Sequence, residues 1–172
     1  FTGFGKTKRI VFFDTLLSRL DGSEIEAVLA HELGHFKRRH VIKRILWTFA
    51  MSLVFLWVLG YLMQQDWFYR GLGVSVSAIP STAMALLLFF LIMPAFTFLF
   101  QPMASLYSRK HEFEADEYAP HNAPANDLIR ALVKLYQDNA ATLTPDPLHS
   151  AFYDTHPPAA MRIARLQNLA HN

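Results

Sequence analysis

The sequence predicts a mainly α-helical integral-membrane protein with two transmembrane helices, a domain outside the bilayer and a short β element. Three observations support this fold class. Of the 172 residues, 52% are hydrophobic and only 17% are charged, whereas about 25% of the residues in an ordinary globular chain are charged. Two long segments carry no charged side chain. Amphipathic helical patterns flank these segments.

The composition also excludes several classes of function. Sixteen Lys and Arg residues against fourteen Asp and Glu residues leave a formal net charge of +2, so we expect no nucleic-acid partner. The chain contains no Cys, which excludes disulfides, thiolate metal ligands and a Cys nucleophile. It begins at Phe1 instead of Met, and we therefore expect a fragment of a longer protein.

Residues 1–40 are predicted to lie outside the bilayer and to contain one strand and one helix. Arg9–Phe13 has the composition of a short strand, which could pair with an extended peptide or simply belong to a sheet. Ser23 and Glu26 have the spacing of a capping box that opens the helix. Its expected apolar face consists of Ile25, Val28, Leu29, Leu33 and Phe36.

The two uncharged segments predict transmembrane helices at residues 41–65 and 82–107. Residues 45–65 carry no charge and are long enough to cross a hydrocarbon core of roughly 30 Å. A buried helix of a soluble protein fits poorly, because the segment is apolar on every face. In the second segment, Pro94 is expected to kink the helix. We expect both helices to lie in a lipid bilayer.

The charges at the ends of these segments predict their orientation. Basic residues precede the first span and follow the second, namely Lys37, Arg38, Arg39, Lys43, Arg44, Arg109 and Lys110. The connecting loop, residues 66–81, holds only Asp66 and Arg70. Because positive charges favour the cytoplasmic side, we expect a non-cytoplasmic loop, with residues 1–40 and 108–172 in the cytoplasm.

The C-terminal region is predicted to contain two further helices. Prolines at 120 and 124 end the helical pattern that follows the second span. Asn126 or Asp127 is expected to cap the next helix. Residues 140–158 contain four prolines and predict a long loop. Pro157 and Pro158 suit the start of a last helix.

His31–His35 matches the pattern H-E-x-x-H within the predicted first helix. Histidines four residues apart share one helix face, where both imidazoles can bind one tetrahedral Zn²⁺. Glu32 is then placed to take a proton from activated water. Gly34 costs about 1 kcal/mol relative to Ala in a helix interior, which indicates a need for space. The alternative is two surface histidines beside an exposed glutamate.

A catalytic zinc needs a third protein ligand and an open fourth position. Glu112 and Asp116 share a helix face at i, i+4 after the second span, so one could bind the metal while the other orients a ligand imidazole. An acidic pair alone would more often be a solvated face. Combined with His31–His35, it predicts a zincin-like catalytic domain built from residues 1–40 and 108–172.

These motifs together resemble the catalytic C-terminal half of the type I CAAX prenyl endopeptidases, integral-membrane zinc metalloproteases of the gluzincin kind. The resemblance is carried by Lys8–Leu17, His31–His35, Ser108–Lys110, Glu112–Asp116 and His156–Pro158. It implies that the zinc ligands are His31, His35 and Glu112. It also implies that Glu32 is the general base and that Asp116 holds a zinc histidine. His156 and Arg162 are implied to lie near the site and to help hold the substrate or the developing oxyanion.

The functional prediction is a zinc-dependent membrane endopeptidase that cleaves a peptide or protein substrate, prenylated if it follows the resembled family. One alternative is a heat-shock-type protease for membrane-protein quality control. Another is a catalytically inactive membrane scaffold whose zinc is purely structural. The intact Glu32 argues against the scaffold, because a structural site needs no base. The lack of long insertions favours a bacterial inner-membrane enzyme. The histidines expected to be ordinary surface or loop residues are His40, His111, His121, His149 and His171.

Overall fold

The computed structural model describes residues 9–75, 81–138 and 145–170. Within these ranges the chain is mainly helical. The helices are α1 (Asp14–Arg19), α2 (Gly22–Lys37), α3 (His40–Leu62), α4 (Asp66–Gly71), α5 (Thr82–Tyr118), α6 (Ala125–Asp138), α7 (Pro147–Tyr153) and α8 (Ala159–Ala170). The chain divides into two compact units. We call Phe1–Val41 with Pro102–Asn172 the polar unit, and Ile42–Gln101 the apolar unit.

The predicted short β element is not confirmed. Within the predicted strand Arg9–Phe13, Arg9 forms an isolated β-bridge but no continuous strand follows, and α1 begins directly at Asp14. Val11 and Phe13 are instead exposed. Helix α1 was not expected from the sequence.

Helix α2 begins earlier than predicted, because its capping box is formed by Asp21 and Glu24. The backbone N–H of Asp21 donates to Glu24 Oε2 at 2.8 Å. The Nζ of Lys134, on α6, donates to the same oxygen at 2.7 Å, and Glu24 is fully buried. One carboxylate thus caps α2 and joins it to α6, whereas Glu26 is exposed.

The core of the polar unit is built on small side chains of α2. It consists of Ala27, Ala30, Ala119, Ala123, Leu128, Leu132 and Leu166. The expected apolar face was therefore partly wrong, since Leu33 and Phe36 are exposed. A Cβ atom on Gly34 would lie 3.0 Å from Ala115 Cα and 3.1 Å from Tyr118 Cβ. This close approach confirms the need for space at Gly34.

The apolar unit contains two helical segments that are long and apolar enough to cross a membrane. In the most apolar 18-residue stretch of α3, only 6% of the residues are buried. In the corresponding stretch of the helix that begins at Thr82, only 17% are buried. A core helix of a soluble protein would be mostly buried, so this exposure supports the prediction of membrane helices. The unit's own core consists of Leu59, Phe68, Tyr69, Ala85, Leu88 and Phe89.

Several loop predictions differ in detail from the structure. α5 continues through Pro94. The expected loop at residues 66–81 begins with α4, and its residues 76–80 lie outside the described ranges. α7 occupies part of the expected loop at residues 140–158, of which 140–144 are not described. α6 begins at Ala125, so Asn126 and Asp127 lie inside its first turn. α8 follows Pro157 and Pro158 as predicted.

The bridge from Glu24 to Lys134 predicts acid sensitivity. The hydrogen bond from Lys134 holds the pKa of Glu24 below its usual value, although burial acts in the opposite direction. A carboxyl whose pKa is lowered by folding stabilises the fold above its unfolded pKa, and this contribution is lost as the pH falls through the folded pKa. We expect the unfolding temperature to drop by several degrees on acidification below about pH 4.

Circular dichroism melts at a series of pH values measure this effect. Glu24→Gln should have a lower unfolding temperature at neutral pH and a shallower loss on acidification. Glu26→Gln, which changes an exposed glutamate of the same helix, should behave as the unaltered chain. The same pH dependence in Glu24→Gln as in the unaltered chain would contradict the assignment.

Candidate metal centre

Three predicted ligands meet within the polar unit. His31 and His35 on α2 and Glu112 on α5 each offer one ligand atom, and these atoms lie within 4.8 Å of one another. The two Nε2 atoms are 3.2 Å apart. Glu112 Oε2 is 3.7 Å from Nε2 of His31, and Oε1 is 3.3 Å from Nε2 of His35.

These spacings fit a tetrahedral zinc ion. Two ligand atoms that each lie 2.0–2.1 Å from a tetrahedral zinc are about 3.3–3.4 Å apart. The three observed separations, 3.2, 3.3 and 3.7 Å, bracket that value. Two imidazoles and a carboxylate also form a donor set typical of catalytic zinc. His31 and Glu112 are buried and His35 is half-buried, so a metal at this position would be largely enclosed.

The local sequence explains why these side chains converge. The i, i+4 spacing stacks His31 and His35 on one face of α2. Gly34 lies on the same helix and lets α2 approach the backbone of α5 at Ala115, three residues after Glu112. A side chain at position 34 would separate the two helices and pull the histidines away from Glu112.

Asp116 and Arg162 form a buried charged pair beside the three candidate ligands. Asp116 is fully buried, and its Oδ1 lies 2.9 Å from His31 Nδ1. Arg162 of α8 donates from Nε to Asp116 Oδ2 at 2.8 Å and from Nη2 to Oδ1 at 2.6 Å. Its Nη1 also lies 3.5 Å from Glu112 Oε2. Arg162 is only 6% exposed, and its guanidinium therefore contacts two carboxylates from a buried position.

His156 approaches the same carboxylate from the loop before α8. Its Nδ1 lies 3.0 Å from Glu112 Oε2, and its side chain is 62% exposed. The hydrogen bond with Glu112 raises the pKa of His156 above its usual value. The Tyr136 hydroxyl donates to the Pro157 carbonyl at 3.3 Å and holds this loop. A cavity of about 360 Å³ opens here, lined by residues that include Tyr136, Tyr153 and His156.

Glu32 is half-buried on α2 and directly follows His31 in sequence. Consecutive residues of a helix point about 100° apart, so Glu32 flanks the face that carries the two histidines without joining it. The structure thus brings His31, His35, Glu112, Asp116, His156 and Arg162 into contact, with Glu32 beside them.

Two histidines are not the ordinary surface or loop residues that were expected from the sequence, and that prediction is wrong. His40 and His111 are buried instead of exposed, and their rings stack with centroids 4.1 Å apart. The Nδ1 atoms of His40 and His35 are 2.9 Å apart. The helical pattern gave no signal for this contact, because the turn before α3 interrupts the helical phase. His121 and His149 are exposed as expected, and His171 lies outside the described ranges.

Comparisons with known proteins identify a family that matches almost the whole chain. Residues 1–170 match the sequence profile of peptidase family M48. The CAAX prenyl protease 1 homolog of Dictyostelium discoideum is 35% identical over 157 residues, which cover 91% of this chain and 36% of that protein. CAAX prenyl protease 1 of Saccharomyces cerevisiae is 31% identical over 182 residues, with 96% of this chain and 40% of that protein covered.

A solved structure is also similar. The crystal structure of S. mikatae Ste24p superposes with a TM-score of 0.81 at 31% sequence identity, covering 96% of this chain and 40% of that one. The chain therefore spans about two fifths of the length of these relatives. All are eukaryotic, so they give no support to the predicted bacterial origin.

Proposed function

The chain belongs to peptidase family M48, and on that premise we propose that it forms the catalytic part of a membrane zinc metalloendopeptidase of the CAAX prenyl protease type. The family implies a metal. The observation that carries the proposal is the convergence of two imidazole nitrogens and one carboxylate at the spacing of tetrahedral zinc ligands. A structural zinc would normally take a fourth protein ligand, whereas this set leaves one position for the reactants.

The proposed mechanism assigns a task to each side chain. His31, His35 and Glu112 hold the metal. When bound, zinc acts as a Lewis acid that activates water and polarises a carbonyl. Glu32 accepts the proton of the attacking water and passes it to the leaving amine, as a general base and then a general acid.

We assign different tasks to His156 and Arg162. His156 is exposed and lies at the edge of the ligand set, so as an imidazolium it can donate a hydrogen bond to the oxyanion of a bound substrate. Arg162 is buried against Asp116 and Glu112. It therefore acts through these two carboxylates, by fixing the partner of His31 and one of the ligands.

The proposed substrate is a peptide or protein that ends in a prenylated CAAX sequence. The similarity to a CAAX prenyl protease 1 and to a CAAX prenyl protease 1 homolog supports this class. The exposed apolar helices support a location in the lipid bilayer. The basic residues that flank both helices support a cytoplasmic catalytic side.

Metal content tests the proposal directly. We expect the full chain, purified in detergent, to contain one equivalent of zinc by elemental analysis. Glu112→Ala should retain far less after dialysis against a weak chelator, because only two ligands remain. Glu117→Ala, which removes a more exposed glutamate of the same helix, is the matched control and should keep its zinc. No zinc in the unaltered chain, or equal zinc in all three proteins, would overturn the proposed site.

A further inference from the structure

His40, the first residue of α3, is held in place from three sides. It is only 4% exposed, and its Nδ1 lies 2.9 Å from His35 Nδ1. Its Nε2 lies 2.9 Å from Glu114 Oε2 on α5. The His111 ring stacks on it with an interplanar angle of 11°. These contacts fix both the position and the plane of the His40 ring.

The direction of these hydrogen bonds follows from the proposed zinc site. If His35 binds a metal through Nε2, that nitrogen carries no proton, so the proton is on Nδ1 and is donated. His40 Nδ1 must then accept it. Consequently, a neutral His40 carries its own proton on Nε2 and donates it to the Glu114 carboxylate. In the series His35–His40–Glu114, each N–H donor therefore faces an acceptor.

We infer that His40 and Glu114 are positioning residues that hold His35 in the ring orientation and tautomer needed to bind zinc. The inference rests on the proposed zinc site and extends it to two residues that the sequence analysis did not assign to the site. Histidine ligands commonly donate their other nitrogen to a carboxylate. His31 Nδ1 contacts the Asp116 carboxylate directly, whereas His35 Nδ1 is linked to the Glu114 carboxylate through the His40 imidazole.

The backbone conformation of the residue before His40 brings the His40 ring to His35. Arg39 has φ of 56°, a left-handed conformation that non-glycine residues rarely adopt. This turn separates α2 from α3 and lets His40 contact His35, five residues earlier in the chain. A continuous helix would place residue 40 about 140° around the axis from residue 35, where the two rings could not meet in this way.

The test compares side chains of similar size at position 40. His40→Leu fills space but cannot accept the proton of His35, and we expect zinc affinity to fall about 10–100-fold. His40→Gln can accept through its amide oxygen and donate through its amide nitrogen, and should recover most of that loss. Affinity is measured by competition with a chromophoric chelator, and site geometry by the visible spectrum of the Co²⁺-substituted full chain.

A second pair of variants tests the other end of the series. Glu114→Met removes the acceptor of His40 and should weaken zinc binding and alter the Co²⁺ spectrum. Glu117→Met, on the same helix, should change neither. This pair keeps the inference testable if His40→Leu does not fold.

The outcomes separate the inference from the proposed function. Absence of zinc in the unaltered chain would overturn the proposed site and the inference with it. Zinc in the unaltered chain with unchanged affinity and spectrum in His40→Leu or Glu114→Met would overturn the inference alone. Equal losses in His40→Leu and His40→Gln would also overturn it, because a purely steric role would then explain both.

Discussion

Glu32→Gln is expected to lower the rate of peptide cleavage by about 10²–10⁴-fold while zinc remains bound, because a general base contributes a factor of this size. Gln has nearly the same volume as Glu and cannot accept the proton of the attacking water. Glu32 is not among the three converging ligands, so metal content should not change. The measurement is the cleavage rate of a prenylated CAAX peptide, beside an unmodified peptide of the same sequence.

Glu26→Gln supplies the control for this experiment. Glu26 is exposed on α2, six residues before Glu32, and its replacement should leave both rate and zinc content unchanged. Full activity in Glu32→Gln would assign the base to another side chain. Loss of zinc in that variant would place Glu32 among the ligands. Equal cleavage of both peptides by the unaltered chain would argue against a prenyl-dependent substrate and favour a quality-control protease.

The proximity of His31 and His35 on one face of α2 could be predicted from the sequence, because it depends only on local helix geometry. Positions 31 and 35 share a face in any α-helix, so their proximity requires no knowledge of the tertiary structure. Glu112 was harder to predict as a candidate ligand. It lies 77 positions after His35, and this separation in sequence says nothing about the distance between the two side chains. The helical pattern limited the candidates to one acidic face, and the resemblance to a known family selected Glu112 from it.

The sequence could not predict features that depend on tertiary contacts. The face of α2 that carries small residues, including Ala27, Ala30 and Gly34, is buried because α5 and α6 pack closely against it. Leu33 and Phe36 lie on other faces of the helix and are consequently exposed. The start of α2 is set by Glu24, which also binds Lys134 from 110 positions away. His40 meets His35 only because Arg39 adopts a left-handed conformation. None of these contacts leaves a periodic signal in the sequence.

Arg162→Met is expected to destabilise the folded protein by about 3–5 kcal/mol, the usual result of removing one partner from a buried ion pair. Met preserves much of the side-chain volume but leaves the fully buried Asp116 carboxylate without its two guanidinium hydrogen bonds. Glu112 loses a cation 3.5 Å away as well. We expect zinc affinity to fall too, because both carboxylates can then rearrange.

Arg165→Met, on the same helix, is the control that distinguishes the loss of a buried arginine from the loss of a more exposed one. Arg165 pairs with Glu117 at a more exposed site and lies over the Phe113 ring, so its loss should have a smaller effect, about 1 kcal/mol for the exposed ion pair. Chemical unfolding followed by circular dichroism compares the two variants. Adding Asp116→Asn to Arg162→Met should restore part of the stability, because the double variant no longer buries an unpaired charge. If Arg162→Met proved as stable as Arg165→Met, the Asp116 carboxylate would be held by its contact with His31, and the buried arginine would not organise the ligands.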